Sequence, residues 1–135
     1  MGAGICGAGM KRAVDAMLRA MGRESVLLLI PATAMAGDAA GQLGLVDPGV
    51  MELLISPIAM RELTTGNLGP RRRVEFTLPA SGIEGQLAAV GMASADDLFA
   101  AVIGVTYSNE LFHIEKVAPQ SFGGTVCLYL VTAVE

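Results

Sequence analysis

Residues 101–135 read AVIGVTYSNELFHIEKVAPQSFGGTVCLYLVTAVE, and this stretch decides the fold. Tyr107-Ser108-Asn109-Glu110 predicts a tight turn between two apolar runs, because Asn tolerates a left-handed backbone and Ser bonds its own neighbours. An extended segment runs from Glu110 to Val117. Residues 118–124 are expected to break it: Pro119 has no N–H for a ladder, and Gly123-Gly124 let the backbone reverse. Residues 125–134, rich in β-branched and aromatic side chains, form the closing strand. The result is a three-stranded antiparallel meander. Its last strand is apolar on both faces, with Val126, Leu128, Leu130 and Val134 on one and Cys127, Tyr129, Val131 and Ala133 on the other. Such a strand is covered on both sides. The second cover is either small helices or a neighbouring subunit, which makes Tyr129 and Val131 the candidate assembly face.

Upstream, residues 71–78 alternate cleanly, with Val74, Phe76 and Leu78 on one face and Arg73, Glu75 and Thr77 on the other. Pro79 ends that strand. A short helix over 81–90 carries Ile83, Leu87 and Val90, and Ser94 with Asp97 three positions on predicts an N-capped second helix. Residues 24–30 form the first strand, ended by Pro31. Residues 50–56 form the second, stopped at Pro57 and continued over 58–63 after a bulge or bend. Between them lies an Ala/Gly-rich loop, residues 32–49, too long for a plain connection. Few charges and Leu43 and Leu45 suggest a docking loop, with Asp38, Gln42 and Asp47 as its polar members. A poorly ordered insertion is the alternative.

Met10, Ala13, Val14, Met17, Leu18 and Met21 recur at helical spacing, and Gly22 is placed to stop the helix. This stripe is read as a core face, with a pliable interface to another chain as the alternative. Before it, Gly2-x-Gly4-x-x-Gly7 has the spelling of a dinucleotide fingerprint but no strand ahead of it, as that motif requires. Residues 1–9 are therefore expected to be a flexible arm, and residues 10–135 a single β-rich domain.

The chain is 53% hydrophobic and only 16% charged, with mean hydropathy +0.56. Charge this sparse leaves apolar surface for another subunit. No apolar run approaches the ~20 residues of a membrane span, so no membrane partner is expected. Lys11-Arg12 leads into an amphipathic pattern, unlike a signal peptide. A net charge of −4 argues against a general nucleic-acid binder, and 4% aromatics with no Trp argue against a base-stacking platform. Arg71, Arg72 and Arg73 form the one dense basic cluster, read as a contact for a subunit or for DNA, or as a solvated strand end that discourages edge pairing.

Catalysis finds no constellation. His113, the sole histidine, lies mid-strand and shares a face by alternation with Leu111, Glu115 and Val117, with no nucleophile elbow in the chain. Asp96 and Asp97 are explained by capping, and Glu52 has no partner acid in a suitable setting. Cys6 and Cys127, far apart beside one His, make no zinc site and read as thiols in a reducing cytoplasm. No catalytic residue, metal ligand or cofactor is assigned, and the chain is read as not an enzyme.

Three segments, residues 71–87, 94–119 and 123–134, resemble small tailed-bacteriophage head–tail joining proteins, the head completion or stopper family. The likeness lies in Gly104-Val105 before the turn, Phe112-x-Ile114-x-x-Val117-x-Pro119, and a terminal strand with Tyr129. It implies a homo-oligomeric ring, of about six- or twelve-fold symmetry, in the virion neck between portal or adaptor and tail proteins. Genomic DNA would pass through without sequence-specific binding, and residues 32–49 would line or close the channel. A tail terminator is the neighbouring alternative. A cytoplasmic β-domain holding a small apolar ligand or a partner chain is the alternative of another class. The expected fold is mainly β with peripheral helices (α+β): a small antiparallel β-barrel or sandwich with an N-terminal amphipathic helix and a long loop after the first strand.

Overall fold

The alternation in β3 (Arg73–Pro79) is realised as read: Val74, Phe76 and Leu78 are at most 1% exposed. The structure, a computed structural model, describes residues 3–22, 24–31, 49–63 and 71–135, with side chains from residue 9 onward. β1 (Glu24–Pro31) and β2 (Val50–Leu63) precede β3. β4 (Gly104–Tyr107), β5 (Glu110–Phe122) and β6 (Thr125–Val134) follow. All pairings are antiparallel, and they close a barrel in the order β1-β2-β3-β6-β5-β4. Two meanders, β1-β2-β3 and β4-β5-β6, are thus joined at a β3–β6 seam and a β1–β4 seam. The barrel form of the fold holds, and the helices are peripheral.

Side chains fill the interior, as a barrel of this size requires. Phe76 meets Phe112 edge-on at 5.8 Å between ring centres and Tyr107 at 5.4 Å. Leu28, Ile55, Val105 and Val131 complete that layer, each buried. α2 (Ala80–Val90) and α3 (Ala95–Ala101) lie between the meanders and plug one barrel end with Ile83, Val90 and Leu98. Leu87 is only partly buried against this core. Ser94 caps α3 as read, its Oγ accepting from the Asp97 N–H at 3.2 Å.

Three features differ from the sequence reading. α1 runs from Ala3 to Ala20, so the glycine-rich stretch expected to be a flexible arm is helical from Ala3. Once Val14 and Leu18 dock, extending the helix costs only about 1 kcal/mol per glycine, against the much larger cost of nucleation. β2 continues past Pro57 as read, with an irregularity in its pairing to β1, a cis Ser56–Pro57 bond and a change of partner from β1 to β3. β5 passes through Pro119 and turns only at Gly123 and Gly124, both at positive φ. Beyond Phe112 no described strand pairs with β5 on its β4 side, so the missing N–H of Pro119 falls on a strand with a free edge, where proline is tolerated. Finally, a bulge between Ile114 and Lys116 resets the alternation. It places Val117 against the core, off the face of Leu111 and His113.

The other end of the barrel is closed by charge. Arg72 pairs with Glu62 and Glu110 while its guanidinium lies 5.7 Å over the Phe112 ring. The Tyr107 hydroxyl donates to Glu24 at 2.8 Å. Burial, then this neighbouring carboxylate, raises the Tyr107 pKa above the usual phenol value. Arg73 forks onto Glu115 at 3.1 and 3.0 Å, and that hydrogen bonding holds the Glu115 carboxyl below its ordinary range, against a smaller opposing effect of burial.

Two outcomes follow from this packing. Phe112→Ala leaves a cavity under Phe76 and is expected to lower unfolding free energy by about 3–5 kcal/mol in denaturant titration. Glu115 has a depressed pKa, so its contribution is present above the unfolded-state pKa and is lost as pH falls through the folded value. Glu115→Gln is therefore expected to melt below wild type at neutral pH, with the gap closing in strongly acidic buffer.

Candidate assembly surfaces

β1 contains five successive apolar residues, Val26 to Ile30. Val26, Leu28 and Ile30 fill the barrel, so the pleat turns Leu27 and Leu29 outward. Register then builds a continuous outer wall. Leu27 lies between Leu54 of β2 and Thr106 of β4, and Thr106 in turn pairs with Leu111 of β5. Leu29 lies between Glu52 and Gly104, and Pro31 pairs with Val50. Leu54, Val50 and Leu111 are 53%, 54% and 49% exposed.

Gly104 shapes the centre of this wall. A Cβ there would lie 2.8 Å from Leu111 Cδ1 and 3.6 Å from Leu29 Cδ1. The missing side chain lets Leu111 fold down toward Leu29 and makes the leucines contiguous. Glu52 stands among them, exposed, with no ion-pair or hydrogen-bond partner among the described residues. Among the described residues the helices pack mainly on β2, β3 and β6, with α1 also touching β5, and leave β1 and β4 largely uncovered. α2 reaches the β2 side of the wall, where the Gln86 amide donates to the Leu54 carbonyl at 2.9 Å.

α1 sits across the barrel from it. Val14 and Leu18 are buried with Cys127 of β6, against Ala59 of β2 and Leu128 of β6. One flank of α1 is held to α2, by Lys11–Glu84 at 2.7 Å and by the Ser81 hydroxyl donating to Asp15 at 2.9 Å. The core-face reading of the methionine stripe is corrected here: Met10, Met17 and Met21 are 38%, 49% and 63% exposed. At 100° per residue the apolar arc is wider than the strip the barrel covers. The free face thus has three rows: Ala13, Ala16 and Ala20 in the middle, the methionines along one side, and Arg12 and Arg19 along the other, all exposed.

The residues singled out from the sequence fare differently. Val131 is fully buried inside the barrel, and Tyr129 packs on the core with its ring 5.3 Å from Phe99. Barrel closure turns Val131 inward, which removes it from any surface, while Tyr129 stays half-buried beside Phe99. Arg72 and Arg73 are engaged with Glu62, Glu110 and Glu115, leaving Arg71 exposed at the strand end. Asp38, Gln42, Leu43, Leu45 and Asp47 lie outside the described residues. His113 is exposed on β5, and Cys127 is a free, buried thiol. Among the described residues no three His, Cys, Asp or Glu side chains converge as a metal site, and no described helix is long and apolar enough to cross a membrane. The leucine wall itself was legible in one signal, the unbroken apolar run of β1, which implies cover on both sides just as the run in β6 does.

Compared with known proteins, the chain matches no family model, no curated protein and no solved structure.

Proposed function

We propose that this chain is a structural subunit that joins copies of itself head to tail into a ring, at the neck of a tailed-phage-like particle, and that it performs no catalysis. The observation that carries the reading is the mounting of two unlike apolar surfaces, the leucine wall and the free face of α1, on opposite walls of one packed barrel. Unlike patches that meet each other make a heterologous contact, which repeats into a ring when the rotation closes. A two-fold dimer uses one patch twice and leaves the second unexplained.

The neck setting rests on the likeness of residues 71–87, 94–119 and 123–134 to head completion proteins. In that setting the ring bridges portal or adaptor and tail, and genomic DNA threads the channel. A net charge of −4 suits a channel through which DNA slides without being gripped. A tail terminator would use the same geometry. An apolar ligand held inside the barrel is disfavoured, since Phe76, Phe112 and their neighbours occupy that space.

Mass measurement over a range of concentrations is expected to give one closed oligomer, seen as rings with a central channel in electron micrographs. Duplex DNA is expected to be retained weakly at physiological salt, with no sequence preference. A monomer at every concentration, or tight DNA binding, overturns the reading.

A further inference from the structure

We propose that the free face of α1 in one copy docks lengthwise on the leucine wall of the next, and that this contact is the joint of the assembly. The inference rests on the head-to-tail reading above and names its interface.

Size supports the match. The paired strands β1 and β4, about 4.8 Å apart, form the crest of the wall with Leu54 and Leu111 to either side, and one helix of roughly 10 Å diameter can lie along it. Shape supports it too. The alanine row lets the helix backbone approach the wall closely over Leu27, Leu29 and Gly104. On one side the methionines, unbranched and adaptable, pack toward the partner's Leu111. Charge sets the orientation. The other side of the helix carries Arg12 and Arg19, which have no ion-pair partner among the described residues. The wall carries Glu52, without an ion-pair partner among the described residues, on its β2 side, flanked by Val50 and Leu54. With the methionines toward β5, the arginines fall toward Glu52; the reversed helix would set them over Leu111 and leave the carboxylate among methionines. A carboxylate in an apolar patch is costly to cover unless a cation meets it, so Glu52 selects a basic partner edge.

The wall and the helix face can be disabled separately without touching the core. Leu54→Lys with Leu111→Lys alters the wall, and Ala16→Glu with Met17→Glu alters the helix, all at exposed positions. Circular dichroism and a cooperative melt establish that each variant is folded. Each alone is expected to be monomeric. Mixed in equal amounts they are expected to form a one-to-one heterodimer and nothing larger, because one intact helix face meets one intact wall. A wall that pairs with itself predicts the opposite, a helix variant that still dimerises and a mixture that gains nothing, and either result overturns the joint.

A charge exchange tests the orientation. Glu52→Arg is expected to weaken association at least tenfold, and adding Arg12→Glu and Arg19→Glu to the same chain is expected to restore it. Failure of the triple variant to recover overturns the placement of the arginines at Glu52. The joint and the ring fail separately. Wild-type rings that persist in both disabled variants sink the joint and leave the ring. Open filaments from wild type, with the heterodimer still formed by the mixture, keep the joint and sink the ring.

Discussion

The barrel depends on a narrow seam. β4 is four residues long, and it alone connects β1 to β5: Leu27, Leu28 and Leu29 pair with Thr106, Val105 and Gly104, and the Ile103 N–H donates to the Leu29 carbonyl at 2.8 Å. Without that bridge the two meanders form an open sheet with two unpaired edges, a template for uncontrolled pairing. With it, the pleat divides every strand into an inward and an outward set, and the division dictates what the molecule can do. Val105 of β4 enters the core, while Gly104 makes room outside for Leu111.

Closure has a consequence for the surface. The interior takes one set of side chains, and a chain that is 53% hydrophobic has more apolar residues than the interior admits. α1 and α2 cover part of the outward set on β2, β3 and β6, but among the described residues the β1–β4 side has no such cover. Meanwhile, from residue 9 onward, α1 buries Val14 and Leu18 against its own barrel and presents Met10, Met17 and Met21 to solvent. Among the described residues most of the exposed surplus lies on these two surfaces, with Ile103 and Phe122 also exposed. Ion pairs hold the remaining surface: Arg72 with Glu62 and Glu110, Arg73 with Glu115, Arg61 with Glu75. Arg72 and Arg73 of the basic cluster are thus paired within the chain, and Arg71 stays exposed.

Beyond Phe112, β5 has no strand partner on its β4 side among the described residues, and Lys116, Pro119 and the bulge after Ile114 lie along this edge. Each blunts strand addition, by charge, by a missing donor and by added twist respectively. The edge thus discourages pairing where the leucine wall invites packing, and the two properties are consistent with association through faces rather than through strand exchange.

Local chemistry made much of the fold legible. Alternation in β3 needs only a half-buried pleat, the Ser94 cap only its own backbone three residues on, and the Ser108-Asn109 turn only residues that tolerate positive φ, observed at 51° and 65°. The continuation of β5 through Pro119 was not legible, because proline is excluded only where its N–H is needed, and that depends on a neighbour far away in sequence. The same holds for the surfaces. From the sequence alone, β6 and β1 are both apolar on two faces, and α1 carries one broad methionine-rich stripe. Which of those faces lies inside a closed barrel, which lies under a helix and which meets solvent was decided only in three dimensions, because burial is a property of what packs opposite a side chain and periodicity records only which side chains share a face.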